Sequence, residues 1–260
     1  MAADMRLTAP FHLDDKVAVI TGSSRGIGRA IAESMASLGA RVVISGRKVE
    51  ACEAVAQEIE RQGGAAAAIA CNISRRPDVE ALIDESNRRF GRIDILVCNA
   101  AINPVYGPLQ HLTDEAFDKV IATNVKSNLW LCNLTIPAMA QRGGGAVIIV
   151  ASIAGLRGRD VIGMYGISKA ADIALMRNLA VEWGPRNVRV NCIAPGLIKT
   201  EFARALWENE DLVKRRNAET PLRRIGSPEE IGPVAAFLAS PAASFITGQV
   251  IVADGGVTIA

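Results

Sequence analysis

Apolar segments of strand length alternate with longer segments of helical periodicity from about residue 16 to the end of the chain. Most of the short segments are apolar at consecutive positions, which is typical of strands buried on both faces of a parallel sheet. The pattern predicts strands at Lys16–Thr21, Arg41–Ser45, Ala66–Cys71, Ile93–Cys98, Ala146–Ser152, Val188–Ile193 and Gln249–Val252. It predicts helices at Arg25–Leu38, Lys48–Arg61, Pro77–Phe90, Thr113–Ala140, Gly163–Trp183 and Pro228–Ser240.

This alternation predicts an α/β fold, a single-domain, Rossmann-type, doubly wound parallel sheet of about seven strands with helices on both faces. No linker divides residues 14–260, so we expect one domain, preceded by a flexible tail at residues 1–13. Residues 199–224 interrupt the alternation with a long, charged and partly apolar segment. Because ligands of such sheets bind beyond the carboxyl ends of the strands, this segment is placed to form a lid over the substrate. A helical hairpin on the surface is the equal alternative.

The composition is that of a globular protein with nearly balanced charge. Half of the 260 residues are hydrophobic and the net charge is +2, which gives no reason to expect nucleic acid or a membrane as a partner. The five cysteines form no CxxC pair and have no histidine at metal-ligand spacing. We therefore expect reduced cysteines, no metal site and a cytoplasmic protein. The first residues lack the apolar core of a secretory signal, and no apolar stretch reaches the roughly 18 residues that span a bilayer.

A glycine-rich turn joins the first predicted strand directly to the first helix. Glycines there allow positive φ and a close approach of the backbone to a phosphate, and the N-terminus of the helix offers unpaired N–H groups. The spacing is GxxxGxG rather than GxGxxG, yet its place in the first strand–helix unit favours dinucleotide binding. The turn residues that we assign to the cofactor are Gly22, Ser24, Arg25, Gly26, Ile27 and Gly28.

The segment after the second predicted strand indicates which dinucleotide is bound. An NAD site normally offers Asp or Glu to the ribose 2′-hydroxyl at this point, whereas here Arg47 and Lys48 follow the strand. The guanidinium of Arg47 can pair with a 2′-phosphate, and Arg25 can assist from the glycine turn. We therefore predict that NADP(H) is preferred over NAD(H), with two solvated loop bases as the alternative interpretation.

Tyr165 and Lys169 are four residues apart, on one face of the helix predicted at Gly163–Trp183. Ser152 comes 13 residues before the tyrosine, at the end of a very apolar strand, where its hydroxyl would project from the carboxyl edge of the sheet. These groups suit an enzyme that transfers hydride. The serine holds the substrate oxygen, the tyrosine acts as acid or base, and the cofactor carries the hydride.

The tyrosine needs help to act as a base, because a free tyrosine has a pKa of about 10. The ammonium of Lys169 and the positive charge of an oxidised nicotinamide would both stabilise the phenolate of Tyr165. Lowering the pKa by about three units takes roughly 4 kcal/mol, which two close cations in a desolvated cleft can supply. The sequence thus predicts a lowered pKa for Tyr165.

With these residues the chain resembles the short-chain dehydrogenase/reductase family over about residues 14–256. TGSSRGIG, at residues 21–28, matches the family's TGxxxGIG turn, and Ser152, Tyr165 and Lys169 match its catalytic set. Asn124, in TNVKSNLW, lies where the family keeps an asparagine that holds a proton-relay water near the lysine; a helix residue bonded to backbone is the alternative. The resemblance implies further cofactor contacts, besides Tyr165 and Lys169, at Asn72, Ile73, Asn99, Ala100, Pro195, Gly196, Ile198 and Thr200.

Two positions depart from the family's pattern. The usual NNAG is Cys98-Asn99-Ala100-Ala101, and we expect Ala101 to be tolerated if its φ is negative. The usual Asp that touches the adenine is Asn72, whose amide oxygen can still accept a hydrogen bond from the adenine amino group. Neither change affects the residues that carry the chemistry.

The resemblance is nearest to the NADPH-dependent carbonyl reductases, and the 3-oxoacyl-carrier-protein reductases are also similar. It implies a homotetramer, with the helices predicted at Thr113–Ala140 and Gly163–Trp183 in one interface. Since the candidate pocket is mostly apolar and no surplus Arg or His is placed to bind a carboxylate, we predict an apolar or cyclic ketone, or its alcohol, as substrate. The candidate pocket residues are Asn103, Val105, Ser152, Ile153, Ala154, Met164, Leu197, Phe202, Leu206 and Trp207.

Two other functions stay open. A 3-oxoacyl-carrier-protein reductase of fatty-acid synthesis would want a basic patch for the acidic carrier protein. Basic residues near the entrance that can supply the patch, although acidic neighbours dilute it, are Arg204, Lys214, Arg215 and Arg216. The alternative from another class is a non-catalytic NADP(H)-binding sensor or scaffold. Such proteins usually lose the proton donor, whereas this chain keeps Tyr165.

Overall fold

Seven parallel strands form the centre of the computed structural model, which describes residues 9–260. The strands are β1 (Val17–Thr21), β2 (Arg41–Gly46), β3 (Ala65–Ala70), β4 (Ile95–Cys98), β5 (Gly145–Val150), β6 (Val188–Pro195) and β7 (Val250–Ala253). Their order in the sheet is β3-β2-β1-β4-β5-β6-β7. The predicted doubly wound α/β fold with about seven strands is therefore confirmed.

Helices connect the strands and cover both faces of the sheet. They are α1 (Gly26–Ser37), α2 (Val49–Arg61), α3 (Arg76–Phe90), α4 (Asp114–Ile121), α5 (Ser127–Gln141), α6 (Gly163–Trp183), α7 (Arg204–Trp207), α8 (Glu210–Glu219) and α9 (Gly232–Ala239). Among the residues that the structure describes, no helix combines the length and the apolar character needed to cross a membrane.

The two cores on either side of the sheet follow from the apolar character of consecutive strand residues. Ala18 and Ile20 of β1 lie in one cluster of buried side chains, together with residues of α1, α2 and α9. Val19, between them in sequence, lies in the cluster on the opposite face, with residues of α3, α5 and α6. Because side chains alternate between the faces of a strand, a strand that is apolar throughout must be covered on both sides.

The direction of winding reverses at the centre of the sheet, next to β1. This strand pairs with β2 on one side, where Thr21 lies opposite Ser45, and with β4 on the other, where Ile20 lies opposite Val97. In a doubly wound sheet the loops on either side of such a reversal diverge and leave a crevice at the carboxyl edge. The functional site is therefore expected at this point.

The expected flexible tail at residues 1–13 is corrected where the structure describes it. Leu13 is 1% exposed and belongs to a core cluster, and its N–H donates a hydrogen bond to the carbonyl of Leu38 at 2.7 Å. The ring of Phe11 lies 6.2 Å from that of Phe237. Leu13 is therefore packed into the domain and Phe11 contacts it, so the end of the expected tail is part of the fold. Residues 1–8 lie outside the described part of the chain.

The helix predicted across Thr113–Ala140 differs from a regular α-helix at its centre. Residues Ala122–Lys126 form a π-helical turn between α4 and α5. The turn contains Asn124, whose side chain is fully buried. Single π-turns inside α-helices are frequent at functional sites because the wider turn changes the direction of its side chains.

The five cysteines are buried and none of them forms a disulfide. Burial raises the pKa of the Cys71 thiol to about 12, with a smaller contribution from Asp78. A thiol with such a pKa stays protonated and unreactive at neutral pH. The cysteines therefore act as small apolar side chains, as the sequence predicts.

Candidate active site

A cavity of about 1260 Å³ opens at the carboxyl edge of the sheet. The ends of the strands and the loops that follow them line it, which is where ligands of doubly wound sheets bind. The lining includes residues 24–28, 46–47, 71–74, 99–103, 150–154, 195–198 and 252–259. The helices α6, α7 and α8 add further side chains.

The glycine turn between β1 and α1 forms one end of the cavity. Gly22 and Gly26 have φ of +67° and +57°, which a residue with a Cβ rarely adopts. A Cβ on Gly28 would lie 2.4 Å from the carbonyl oxygen of Gly22. The backbone of the turn therefore comes closer to the start of α1 than any side chain would allow. All six turn residues assigned to the cofactor line the cavity.

Asn99, after β4, fixes the shape of this turn. Its side-chain nitrogen donates hydrogen bonds to the carbonyls of Thr21 at 2.9 Å and Gly22 at 3.1 Å. Its backbone N–H donates to the hydroxyl of Thr21 at 3.1 Å. Asn99 is thus a support of the glycine turn, in addition to lining the cavity with Ala100. The φ of Ala101 is not positive, so the Ala in place of the family's Gly causes no backbone strain.

The loops after β2 and β3 lie beside the glycine turn. Arg47 lines the cavity with an exposed guanidinium, and within residues 9–260 it forms no ion pair. Lys48 is exposed and does not line the cavity, unlike the other residues assigned to the cofactor. It is the N-terminal cap residue of α2. Asn72 and Ile73 line the cavity, and the amide oxygen of Asn72 accepts a hydrogen bond from the N–H of Ser74.

The loop after β6 forms another wall. Its residues Pro195, Gly196, Ile198 and Thr200 all line the cavity, as predicted for contacts with a cofactor. The N–H of Gly196 donates to the carbonyl of Ala253 at 3.0 Å, so this loop is tied to the end of β7. A Cβ on Gly196 would lie 2.8 Å from the Cα of Asp254, which explains the glycine at this position.

The three predicted catalytic residues meet on one wall. Ser152 lies two residues beyond the end of β5, its hydroxyl accepts a hydrogen bond from the N–H of Ala154 at 3.1 Å, and it interacts with Tyr165 of α6 closely enough to lower the pKa of the tyrosine. One turn along the same helix, the ammonium nitrogen of Lys169 lies 5.7 Å from the centre of the Tyr165 ring. All three residues line the cavity. The packing of α6 against β5 and the turn after it therefore brings these three residues together.

Lys169 is buried and paired with a carboxylate that the sequence analysis did not assign. Its ammonium nitrogen donates to the carbonyl of Val150 at 2.9 Å and to Oδ2 of Asp172 at 3.0 Å. The side chains of Lys169 and Asp172 are 2% and 0% exposed. An acid three residues after the lysine, on the apolar face of a helix, is the signal in the sequence that could have identified this pair.

The prediction of a lowered Tyr165 pKa is wrong as far as the protein's own groups are concerned. Burial raises the pKa of Tyr165, and this effect is larger than the lowering by the ammonium of Lys169 and by the hydrogen bond with Ser152. The nearby carboxylate of Asp172 also raises it. The sequence analysis considered only the positive charge of Lys169, whereas in the structure the carboxylate of Asp172 lies beside it.

Asn124 does not line the cavity. Its amide oxygen accepts a hydrogen bond from the N–H of Ile102 at 2.8 Å, and its nitrogen donates to the carbonyl of Ile102 and to the hydroxyl of Ser168. The alternative interpretation, a helix residue bonded to backbone, therefore describes its side chain. The side chain of Asn124 thus connects the π-helical turn to the loop after β4 and to α6.

The predicted substrate residues divide into two groups. Those that line the cavity are Asn103, Ser152, Ile153, Ala154, Leu197, Phe202 and Leu206. Met164, Trp207 and Val105 do not line it, which corrects their assignment. Met164 is 2% exposed, and the indole N–H of Trp207 donates to the carbonyl of Thr200 at 2.7 Å.

Two features of the cavity wall bear on what binds there. The ring of Phe202 lies 6.0 Å from that of Tyr165, so an apolar group covers the catalytic tyrosine. The amide oxygen of Asn103 is buried and has no hydrogen-bond partner among the described residues. Because buried polar atoms are almost always paired, a donor from a bound ligand would complete this site.

Three arginines that the sequence analysis did not assign to the substrate pocket also line the cavity: Arg159, Arg216 and Arg224. Arg159 lies in the loop between β5 and α6, and Arg216 lies in α8. Arg224 donates hydrogen bonds to both carboxylate oxygens of Glu230, which also lines the cavity. The pocket predicted without surplus arginines therefore contains them, because side chains from distant segments meet at the cavity.

This fold, with a serine–tyrosine–lysine cluster facing a glycine turn, defines an oxidoreductase that acts on CH–OH or C=O groups. Residues 22–258 match the family model described as enoyl-(acyl carrier protein) reductase. Dehydrogenase/reductase SDR family member 4 of Oryctolagus cuniculus is 42% identical over 244 residues, 94% of each chain. The protein of that name from Homo sapiens is 40% identical over 98% of this chain and 91% of its own length.

Solved structures agree. A 7α-hydroxysteroid dehydrogenase complexed with NADH and 7-oxo glycochenodeoxycholic acid superposes with a TM-score of 0.92 at 36% identity, over 96% of both chains. A gluconate 5-dehydrogenase from Burkholderia cenocepacia, in complex with NADP and tartrate, has a TM-score of 0.93 at 33% identity over 98% of this chain and 99% of its own. The chain belongs to the short-chain dehydrogenase/reductase family.

Proposed function

We propose that this protein interconverts a carbonyl group and a secondary alcohol with NADP(H) as its cofactor and Tyr165 as its general acid or base. The observation that carries the proposal is the convergence of Ser152, Tyr165 and Lys169 on one wall of a cavity that also contains the glycine turn. Proton transfer and alignment are the tasks that such a group of side chains can perform.

The residues present fit a dinucleotide. Gly22, Gly26 and Gly28 leave the space of three side chains at the N-terminus of α1, whose N–H groups and dipole favour a pyrophosphate. Arg25 and Arg47 line the same end of the cavity as exposed cations, which suits an additional 2′-phosphate. The bound nicotinamide supplies the hydride.

The catalytic side chains have distinct roles in this proposal. Because burial raises the pKa of Tyr165, its hydroxyl keeps its proton at neutral pH and can donate it to a carbonyl oxygen. The hydroxyl of Ser152, on the same wall of the cavity as the tyrosine, holds that oxygen. Lys169 presents its positive charge to the tyrosine as the phenolate forms. Reduction is the direction that a protonated tyrosine favours.

The segment at residues 199–224 acts as a lid in this proposal. It contains α7 and α8, and its residues Phe202, Leu206 and Leu222 line the cavity beside the catalytic wall.

We further propose a homotetramer in the cytoplasm. Large apolar side chains exposed on α5 and α6, Leu129, Ile167 and Val181, support an interface on these helices, and light scattering of the purified protein tests the assembly.

The proposed function is tested by the loss of NADPH absorbance in the presence of a panel of carbonyl compounds. The panel contains aliphatic and cyclic ketones, oxo acids, and 3-oxoacyl thioesters of the carrier protein and of small thiols. We expect turnover of at least one of these classes. Binding of NADPH without turnover of any of them would instead favour the sensor or scaffold hypothesis.

The carrier-protein reductase remains the second candidate, since the matching family model bears a related description. The predicted basic patch is partly neutralised, however. Arg204 pairs with Glu201 and Glu208, and Arg216 pairs with Glu219. In the panel, turnover of carrier-protein thioesters alone would assign this activity.

Substitution of Arg47 tests the choice of cofactor. Arg47→Gln should lower kcat/KM for NADPH by about 10- to 100-fold and leave the value for NADH nearly unchanged, because it removes one charge-assisted pair with the 2′-phosphate. The measurement is the ratio of kcat/KM for the two cofactors. Arg186→Gln, at an exposed arginine outside the cavity, is the matched control. A clear preference of the unmodified enzyme for NADH would remove Arg47 from this role.

A further inference from the structure

Two arginines, Arg159 and Arg216, bring positive charge to the part of the cavity wall formed by segments that come after Ser152 in the chain. Arg159 belongs to the loop that continues from Ser152 to α6, and Arg216 reaches the cavity from α8, in the segment proposed as a lid. They are separate from Arg25 and Arg47, which line the cavity at the glycine turn. The two pairs of cations thus belong to different ends of the cavity.

The charges of these two arginines are incompletely balanced. Within residues 9–260, Arg159 has no carboxylate at ion-pair distance, while Arg216 has one, Glu219, at 2.9 Å. Burial lowers the pKa of Arg159, and so does the charge of Arg216. Asp160 and Glu219 oppose this effect only in part. Two half-buried cations beside each other are unfavourable unless an anion lies between them.

The cavity that the two arginines line also has apolar walls. Ile153, Phe202, Leu222 and Ile259 are among its lining residues. A ligand that fits this arrangement has an apolar body with a negative group at one end. Its carbonyl would lie between Ser152 and the tyrosine.

We propose that Arg159, assisted by Arg216, binds an anionic group of the substrate, a carboxylate or a phosphate, at a distance from the reacting carbonyl. This inference rests on the proposed carbonyl reduction and specifies its substrate class. It replaces the neutral ketone that the sequence predicts with an apolar oxo compound that carries a negative charge.

The test compares anionic and neutral forms of the same carbonyl compound. The first pair of arms is levulinate and its longer homologues against their methyl esters. The second is a 3-oxoacyl coenzyme A against the neutral N-acetylcysteamine thioester of the same acyl group. We expect the unmodified enzyme to prefer one anionic form, and Arg159→Gln to lower kcat/KM for that form by about 10- to 100-fold without affecting the neutral one. Arg186→Gln, at an exposed arginine outside the cavity, is the matched control.

The pair of compounds that shows the preference identifies the anionic group of the substrate. Preference for the free oxo acid indicates a carboxylate, and preference for the coenzyme A thioester indicates a phosphate. Equal use of charged and neutral forms by the unmodified enzyme would overturn the proposal. If no carbonyl compound is reduced, the proposed function fails, and binding of hexanoate and hexanamide to the complex with NADP⁺ decides about the anion site separately. Tighter binding of hexanoate that Arg159→Gln abolishes supports the site, whereas equal binding of both rejects it.

A second inference comes from the carboxylate behind the catalytic lysine. Oδ2 of Asp172 accepts from the ammonium of Lys169, and Oδ1 accepts from the side-chain nitrogen of Asn128 at 2.9 Å. The same nitrogen donates to the carbonyl of Asn124 at 2.7 Å. Both hydrogens of the Asn128 amide are therefore used, and they hold Asp172 between α5 and α6. All three side chains, of Asn128, Lys169 and Asp172, are buried.

The other titratable groups around Lys169 are weak acids. Tyr165 lies on its own helix, Cys192 faces it from β6, and Cys98 and Cys132 lie nearby on β4 and α5. Burial raises the pKa of Cys192, and a hydrogen bond with Cys132 together with burial raises that of Cys98, so both thiols stay neutral. Asp172 is thus the only carboxylate within ion-pair distance of Lys169 in the described chain.

We propose that Asp172, held by Asn128, is a positioning residue that keeps Lys169 protonated and oriented toward Tyr165. Burial by itself favours the neutral amine of a lysine, and an adjacent carboxylate reverses this preference. Of the three hydrogens of the ammonium, two are used by Val150 and Asp172. The third remains for the cavity that Lys169 lines.

The direction of the expected pH effect follows from the largest contributions to the pKa values of Lys169 and Tyr165. Without Asp172, burial lowers the pKa of Lys169 and its ammonium loses its proton at a lower pH. The pKa of Tyr165 then rises, since the lysine lowers it more than Asp172 raises it. Alcohol oxidation needs the phenolate. Asp172→Asn should therefore shift the acidic limb of the pH profile for oxidation to higher pH and lower kcat at neutral pH by about 10- to 100-fold.

The controls separate this role from a structural one. Glu182→Gln, at an exposed carboxylate on the same helix, should change neither the pH profile nor turnover. Asn128→Ala keeps the carboxylate of Asp172 but removes the amide that holds it. We expect this variant to shift the pH profile in the same direction by a smaller amount, and it serves as the test if Asp172→Asn does not fold. An unchanged pH profile in a folded variant with a lower Tm, or a shift to lower pH, would overturn the proposal.

Discussion

Tyr165→Phe is expected to lower kcat/KM for carbonyl reduction by about 10²- to 10⁴-fold, the usual contribution of a positioned general acid. The substitution removes only the hydroxyl. The phenyl ring still fits beside Phe202, whose ring lies 6.0 Å from that of Tyr165. The variant should therefore bind NADPH with nearly unchanged Kd and keep its Tm. The measurement is turnover together with the Kd for NADPH by fluorescence.

The chain contains a second tyrosine that serves as the control. Tyr106 is 62% exposed at the rim of the cavity, so Tyr106→Phe makes the same chemical change away from Ser152 and Lys169. Most of the turnover should remain in this variant. If Tyr165→Phe retained full activity, the assignment of the proton donor would fail, and with it the proposed mechanism.

Gly28→Ala is expected to weaken NADPH binding by at least about tenfold and to lower the free energy of unfolding by about 1–3 kcal/mol. The new Cβ would lie 2.4 Å from the carbonyl oxygen of Gly22 and 2.5 Å from the side-chain nitrogen of Asn99. Both atoms belong to the turn that faces the pyrophosphate in our proposal. The turn must therefore move, and its N–H groups lose their alignment. Calorimetric titration with NADPH and denaturant unfolding measure the two effects.

Gly158→Ala is the matched control for this substitution. Gly158 is exposed, its φ is not in the left-handed region, and nothing lies within 4 Å of its added Cβ. A methyl group there should affect neither cofactor binding nor stability by more than a few tenths of a kcal/mol. Unchanged NADPH affinity in Gly28→Ala would show that the turn does not contact the cofactor.

The sequence predicted the fold well because its signals are local. The strands are apolar at consecutive positions and helical segments separate them, so the parallel sheet could be predicted without knowledge of any long-range contact. The glycine turn and the pair Tyr165 and Lys169 could also be identified, since spacing along one helix or one turn sets the distance between side chains.

The errors in the candidate site have the opposite cause. Met164 precedes Tyr165 in sequence, yet it is buried and does not line the cavity. Trp207 has helical spacing relative to Phe202, but its indole is bonded to the backbone at Thr200. Neither outcome can be predicted from spacing, because the rotation of a helix about its axis depends on what packs against it.

The sequence by itself determined the parallel sheet, the glycine turn and the catalytic spacing, because all of them depend on residues close together in the chain. Only the tertiary structure decided which charges meet inside the cavity. Asp172 lies beside Lys169, and Arg159 and Arg216 converge from different elements. The direction of the Tyr165 pKa shift depends on the same packing, since burial and neighbouring charges arise only when distant segments come together.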